Sequence, residues 1–296
     1  MNENSSNKTI LEALPEDYTF NLSDFALFLS VMKNKTAYEN TLSIILDEPD
    51  LRLKEVKVEQ VVLNKSGKRA IRLDAWARDE QNRHINTEMQ NDAKQDNLRK
   101  RSRFYQGLLD TPVLKSGKKT KYKHLPSTTI IFITRDDIFR CDSAMYTFTE
   151  QCEEVQGLHL DDGTKKIFLN MTSRNGRPEL ISLLQYMKNT TMDNPEIIVK
   201  DKRIQSLDRI VNEVKQSEEW EAVKMNILEI GIEKGIEQGK AASILELLEE
   251  TGKVSEQLRQ KILDQHDSEI LSKWLKLAAK AETIEEFERR IASDKV

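Results

Sequence analysis

The chain has 296 residues, of which 38% are hydrophobic and 32% are charged, and its net charge is −4. This length is enough for one full domain with a smaller addition. We expect neither a signal peptide nor a membrane partner, because the first residues are polar and no apolar run approaches the roughly 20 residues of a membrane span. The two cysteines, Cys141 and Cys152, match no zinc-ligand spacing, which favours a reducing, cytoplasmic setting.

The order of apolar patterns along the chain predicts a mobile leader over residues 1–20 and an α/β domain over 21–205. In chain order the patterns predict a helix over 22–47, strands over 51–62, 72–77 and 85–90, a helix over 96–109, strands over 128–134, 146–150 and 166–170, and a helix over 178–188. Helices interleaved with strands in this order are typical of a mixed central sheet that is flanked by helices.

The C-terminal third is predicted to be helical throughout. Residues 206–242 form a connecting helix in this prediction, with Gly231, Gly235 and Gly239 at every fourth position. Either close helix–helix contact or a flexible, solvated connector would explain these glycines. Residues 243–296 are predicted to be a small helical appendage, and its apolar stripes indicate a homo-oligomer or another partner.

Two acidic residues are predicted to face each other across a hairpin. Strand alternation and an antiparallel turn around Gln81 pair Asp74 with Glu88. Opposed residues have Cβ atoms roughly 4.5–5.5 Å apart, so the two carboxylates repel unless a proton or a cation lies between them. Because the histidines and cysteines are scattered, such a cation needs oxygen ligands, which favours Mg²⁺, with Mn²⁺ or Ca²⁺ as alternatives. A pair of solvent-facing acids is the competing interpretation.

Positive charge is concentrated downstream of this hairpin. Residues 94–124 contain ten Lys or Arg residues and only two Asp residues. Such a block attracts polyanions, although an ordinary solvated surface would look similar.

The motifs in this order resemble a known family. Asp74 in a strand, the strand Glu88-Met89-Gln90 and a helix with Arg101 and Tyr105 come first. Leu114-Lys115-Ser116-Gly117, Tyr122-Lys123-His124-Leu125-Pro126 and an apolar strand follow. Over about residues 22–170 the chain is similar to the recombination-promoting nuclease/putative transposase family of the PD-(D/E)XK nuclease superfamily. The resemblance implies a restriction-endonuclease-like core with a C-terminal helical extension.

The resemblance also implies an activity, that of a metal-dependent DNA endonuclease linked to recombination, mobile elements or defence. Asp74 and Glu88 would bind Mg²⁺, with the backbone carbonyl of Met89 as a further ligand. Glu39 is a candidate auxiliary ligand, and a solvated helix carboxylate is the favoured alternative. Gln90 stands where the superfamily signature usually has Lys, so it would orient the attacking water without supplying charge.

DNA is the partner that the resemblance and the basic segment indicate together. The expected DNA-binding residues are Arg99, Arg101, Arg103, Tyr105, Lys118 and Lys119. Arg101 and Tyr105 share a helix face while Arg103 lies on another, and packing under the sheet is an alternative role for Tyr105. The alternative function is a catalytically inactive, nuclease-derived module for DNA binding or oligomeric assembly.

Overall fold

The computed structural model describes residues 18–62, 70–91, 97–113 and 121–293. The strands in this part of the chain are β1 Leu53–Val62, β2 Ile71–Asp79, β3 His84–Gln90, β4 Thr128–Thr134, β5 Met145–Phe148 and β6 Thr164–Asn170. The helices are α1 Phe25–Met32, α2 Lys35–Ile45, α3 Leu98–Asp110, α4 Pro178–Lys188, α5 Lys202–Lys215, α6 Glu218–Thr251, α7 Glu256–Leu263, α8 Ser268–Ala278 and α9 Ile284–Ser293, with a 3₁₀ turn at Tyr122–His124.

These strands form one mixed sheet in the order β1-β2-β3-β4-β6-β5. β1, β2 and β3 are antiparallel neighbours, β3, β4 and β6 run parallel, and β5 is an antiparallel edge strand. Residues 130–134 in β4 are buried, as a strand covered on both faces requires. The predicted α/β architecture with a mixed sheet flanked by helices is therefore confirmed.

The region 22–47 is helical as predicted, but it forms two helices, α1 and α2, instead of one. The break lies at Asn34, whose side-chain oxygen accepts hydrogen bonds from the backbone N–H groups of Thr36 and Ala37. Asn favours this capping position because it satisfies donors that the helix itself leaves without partners. Apolar spacing alone does not reveal such a break.

The alternation of polar and apolar residues in the central hairpin is typical of half-buried strands, yet residues 73–77 of β2 and 85–89 of β3 are buried without interruption. α2 covers one side, where the hydroxyl of Tyr38 contacts the backbone of Ala75. α3 covers the other, where Tyr105 belongs to the same apolar cluster as Trp76. Both faces are covered, and the acids of this hairpin are thereby placed in a largely dry environment.

The first compact unit runs from Thr19 to Glu221. α5 belongs to it and buries Ile204, Leu207 and Val211. The sequence instead placed the end of this domain at residue 205 and a single connecting helix over 206–242, a span that the structure divides between α5 and α6.

The second compact unit includes residues from Ala222 onward. The last part of α6 and helices α7, α8 and α9 share an apolar core that includes Ile244, Leu248 and Trp274. These residues belong to the stripes that the sequence assigned to self-association. Here they pack against one another within the chain, and self-association of the C-terminal helices stays a prediction. No helix among the described residues is both long and apolar enough to cross a membrane.

Candidate active site

The hairpin of β2 and β3 has the register that the sequence predicts. Ala75 pairs with Thr87 and Ala77 pairs with Ile85. Next to the pair of Ala75 and Thr87, the side chains of Asp74 and Glu88 connect the two strands. The backbone N–H of Asp74 donates to Glu88 Oε1 at 3.2 Å, and the backbone N–H of Met89 donates to Asp74 Oδ2 at 3.0 Å. Each carboxylate is therefore fixed by the backbone of the opposite strand.

Burial gives this acidic pair unusual electrostatics, since Asp74 is 6% exposed and Glu88 is 0% exposed. Burial, followed by the negative charge of Glu88, raises the pKa of Asp74 well above its ordinary value, although the Met89 N–H opposes the shift. Burial also raises the pKa of Glu88, and the charge of Arg101 opposes that rise. Two carboxyl groups with raised pKa values favour a bound proton or a nearby cation.

Arg101 of α3 supplies a positive charge at this pair. Its Nη2 donates to Glu88 Oε2 at 3.0 Å and its Nη1 donates to Gln90 Oε1 at 3.0 Å. Its Nε and Nη2 also donate to the hydroxyl of Tyr105, at 2.9 and 2.6 Å. The predicted shared face of Arg101 and Tyr105 is therefore observed, but the guanidinium that was expected at DNA lies on Glu88, with only 10% of the side chain exposed.

Tyr38 and Asn86 also belong to the site, and the sequence did not single out either as functional. The Tyr38 hydroxyl lies 3.0 Å from the Ala75 carbonyl oxygen and 2.8 Å from Thr87 Oγ1, and burial raises its pKa. Asn86 Nδ2 donates to Glu88 Oε1 at 2.9 Å. Strand parity could have indicated Asn86, which shares a face with Glu88, whereas nothing local indicates the role of Tyr38.

Glu39, the predicted auxiliary ligand, is not brought to the acidic pair. Its Oε2 accepts a hydrogen bond from the Leu53 backbone N–H at 2.8 Å, and its Oε1 lies 3.6 Å from Arg52 Nη1. The carboxylate therefore anchors the beginning of β1. Across the described ranges, no three His, Cys, Asp or Glu side chains form a group that could hold a metal ion.

The remaining donors nevertheless fit a hard divalent cation. Mg²⁺ in proteins commonly takes one or two carboxylates and completes its shell with water and substrate phosphate oxygens. Asp74 and Glu88 are such carboxylates, and within the described part of the chain Asp74 Oδ1 has no hydrogen bond. The backbone N–H of Met89 donates to Asp74 Oδ2. A metal-binding role for the Met89 carbonyl stays a prediction.

The exposed face of α3 carries other predicted DNA-binding residues. Arg99 and Arg103 are exposed, and so is Lys100 between them. The guanidinium of Arg99 lies 4.6 Å from the ring centre of Phe139. Lys118 and Lys119 lie outside the described residues.

Comparison with known proteins gives one match. A family model described as PD-(D/E)XK nuclease family transposase matches residues 15–229, which is more than half of the chain. No curated protein and no solved structure matches the chain.

Proposed function

The chain belongs to the PD-(D/E)XK nuclease family transposases, and we propose that it is a divalent-metal-dependent endonuclease that hydrolyses DNA phosphodiester bonds. The observation that carries this proposal is the pair Asp74 and Glu88, buried together and held by each other's strand. A structural ion pair would need one acid and one base, whereas in the described ranges two buried acids lie together and Arg101 contacts Glu88 but not Asp74. Mg²⁺ is the proposed cofactor, with Mn²⁺ or Ca²⁺ as alternatives.

Asp74 and Glu88 would hold the cation. When bound, the cation would lower the pKa of a water molecule and offset charge on the scissile phosphate. The backbone N–H groups of Asp74 and Met89 fix the orientation of the two carboxylates. Gln90 would orient the attacking water through its amide, which has both a donor and an acceptor.

The substrate would approach along α3. Arg99, Lys100 and Arg103 present positive charge to solvent on the helix that carries Arg101. Cations on an exposed helix face contact backbone phosphates without reading sequence. We place the biology of the protein in recombination, mobile elements or defence against foreign DNA, and an oligomer formed through the C-terminal helices is part of the same proposal.

Plasmid cleavage tests the activity. Supercoiled plasmid is incubated with the protein in Mg²⁺ or in EDTA, and nicked and linear products are quantified. The wild type should cut only in Mg²⁺, and Asp74→Asn should cut at least about a hundredfold more slowly because one metal ligand loses its charge. Glu80→Gln is the matched control, since Glu80 is an exposed acid after β2 and the substitution removes the same charge.

Two outcomes would overturn the proposal. Equal cutting by the wild type and Asp74→Asn would assign the cleavage to another site or to a contaminant. A wild type that retards DNA on a gel without nicking it in any of the three metals would instead support the catalytically inactive binding module.

A further inference from the structure

Both carboxylate oxygens of Glu88 are already used in the structure. Oε1 accepts hydrogen bonds from the backbone N–H of Asp74 and the side-chain amide of Asn86. Oε2 accepts from Arg101 at 3.0 Å. The guanidinium of Arg101 therefore contacts Oε2, the oxygen of Glu88 that accepts no hydrogen bond from β2 or β3 among the described residues.

We propose that Arg101 is the resident counter-ion of the acidic pair, and that it exchanges Glu88 for a substrate phosphate when a divalent cation binds. This inference rests on the proposed function, since it concerns the same two acids. It assigns Arg101 two successive partners, a carboxylate before metal binding and a phosphate afterwards. Arginine suits both, because its planar fork matches the geometry of carboxylate and of phosphate.

The guanidinium of Arg101 and a divalent cation would compete for Glu88, because both are positively charged. A guanidinium and a divalent ion near the same carboxylate repel each other, and burial strengthens this repulsion because little water screens it. Glu88 is fully buried. Removing the positive charge of Arg101 should therefore strengthen metal binding, whereas the loss of a purely structural contact would weaken it by disturbing the ligands.

The surroundings of Arg101 would keep a guanidinium that has left Glu88 beside the exposed face of α3. The Tyr105 hydroxyl accepts two of its N–H groups and holds the guanidinium on the α3 side of the site. Phe104, one helical turn after Arg101, is 40% exposed. Lys100, which directly precedes Arg101, is exposed too. A guanidinium released from Glu88 would thus remain at the edge of the positively charged α3 surface.

The same movement of Arg101 would supply the positive charge that Gln90 lacks. Where the superfamily signature has lysine, this chain has a neutral amide that accepts a hydrogen bond from Arg101 Nη1 at 3.0 Å. The positive charge next to the signature position therefore comes from α3. Gln90 would position Arg101, and Arg101 would meet the phosphate.

Metal binding in the absence of DNA gives the direct test. Mn²⁺ is titrated calorimetrically into the full chain at about pH 8 for the wild type, Arg101→Met and Arg103→Met. Arg101→Met should lower the Mn²⁺ Kd by about tenfold or more, since one competing charge is gone. Arg103→Met removes an equal charge from the exposed face of the same helix and should change the Kd by less than about twofold. An unchanged or weaker affinity of Arg101→Met would overturn the proposal.

A second measurement needs no substitution. In protein labelled with ¹⁵N-arginine, the Nε–H signal of Arg101 should exchange slowly with solvent in EDTA, because this group is hydrogen-bonded and buried. Addition of Mg²⁺ and a non-cleavable DNA analogue should change its shift and accelerate its exchange. A signal that is the same with and without metal and DNA would show that Arg101 stays on Glu88.

Cleavage by a double variant separates this inference from the proposed function. Arg101→Met should slow Mg²⁺-dependent cutting even at saturating metal, and the double variant Gln90→Lys/Arg101→Met should recover part of the rate by restoring a cation at the signature position. A double variant no faster than Arg101→Met would contradict the charge-compensating role. A wild type that does not cut would refute the nuclease proposal, while the Mn²⁺ titration would still decide whether Arg101 and the metal compete.

Discussion

Substitution of Arg101 by methionine should destabilise the metal-free protein strongly, and the size of the effect follows from burial. Arg101 is 10% exposed in its side chain and its partner Glu88 is 0% exposed. Removal of one partner from a buried ion pair typically costs about 3–5 kcal/mol, because the remaining charge stays buried. Arg103→Met removes an exposed charge from the same helix and should change the free energy of unfolding by less than about 0.5 kcal/mol.

The destabilisation should depend on pH with a defined sign. Burial raises the pKa of Glu88 and Arg101 opposes that rise, so the variant should have a still higher Glu88 pKa. A group whose pKa is raised in the folded state contributes its full stabilisation at low pH and loses it as the pH rises through the folded-state pKa. The loss of stability in Arg101→Met should therefore be smaller at about pH 5 than at about pH 8, because a lower pH favours the protonated form of Glu88.

Amide hydrogen exchange in EDTA measures this effect locally, which avoids treating the two compact units as one unfolding transition. Peptides that cover β3 report the opening of the Met89 N–H, which is bonded to Asp74, after correction for intrinsic exchange rates at each pH. Glu88→Gln in the Arg101→Met background should remove the pH dependence, since the buried charge is then absent. An equal loss of hydrogen-exchange protection at both pH values would refute the electrostatic reasoning. An equally large loss of protection in Arg103→Met would refute it too.

Three further substitutions have definite expected outcomes. Tyr38→Phe leaves Thr87 Oγ1 and the Ala75 carbonyl without their shared hydroxyl, so β2 and β3 should lose about 1–3 kcal/mol of protection in hydrogen exchange; unchanged protection would contradict a bracing role. Asp74→Asn should raise the thermal midpoint of the metal-free protein at about pH 8, because burial and Glu88 raise the Asp74 pKa, and a lower midpoint would be inconsistent with that shift. Gly239→Ala should stabilise α6 by up to about 1 kcal/mol, because an added Cβ meets open space; slower exchange across α6 is the expected readout, and faster exchange would reveal a close contact.

The acidic pair could be predicted from sequence because strand parity is local. A period of two residues determines which side chains share a face, and the apolar residues of both strands agree on one register. Ala75 opposite Thr87 and Ala77 opposite Ile85 confirm it. The depth of burial could not be predicted in the same way, since the covering helices α2 and α3 are separate segments whose packing is a tertiary property.

The contact between Arg101 and Glu88 could not be predicted from the local sequence pattern, for a related reason. Helical spacing places Arg101 and Tyr105 on one face, but it does not say which strand residues that face meets. That choice follows from the anchoring of α3 through buried residues such as Leu98 and Leu109, which pack in the same cluster as Trp76. A basic helix next to an acidic hairpin therefore indicated phosphate contacts, and only the folded arrangement shows an arginine on a carboxylate.

Gln90 is compatible with metal-dependent chemistry once charge is counted over the whole site. Asp74 and Glu88 ionised beside Arg101 leave one net negative charge, whereas a lysine in place of Gln90 would bring the total to zero and weaken the attraction for a divalent cation. The neutral amide would therefore preserve the proposed affinity for metal, and it also accepts a hydrogen bond from Arg101. A fixed lysine provides positive charge at all times, while an arginine on a neighbouring helix can provide it after the metal has neutralised Glu88. The departure from the signature thus favours a site in which metal binding and phosphate recognition are coupled through one side chain.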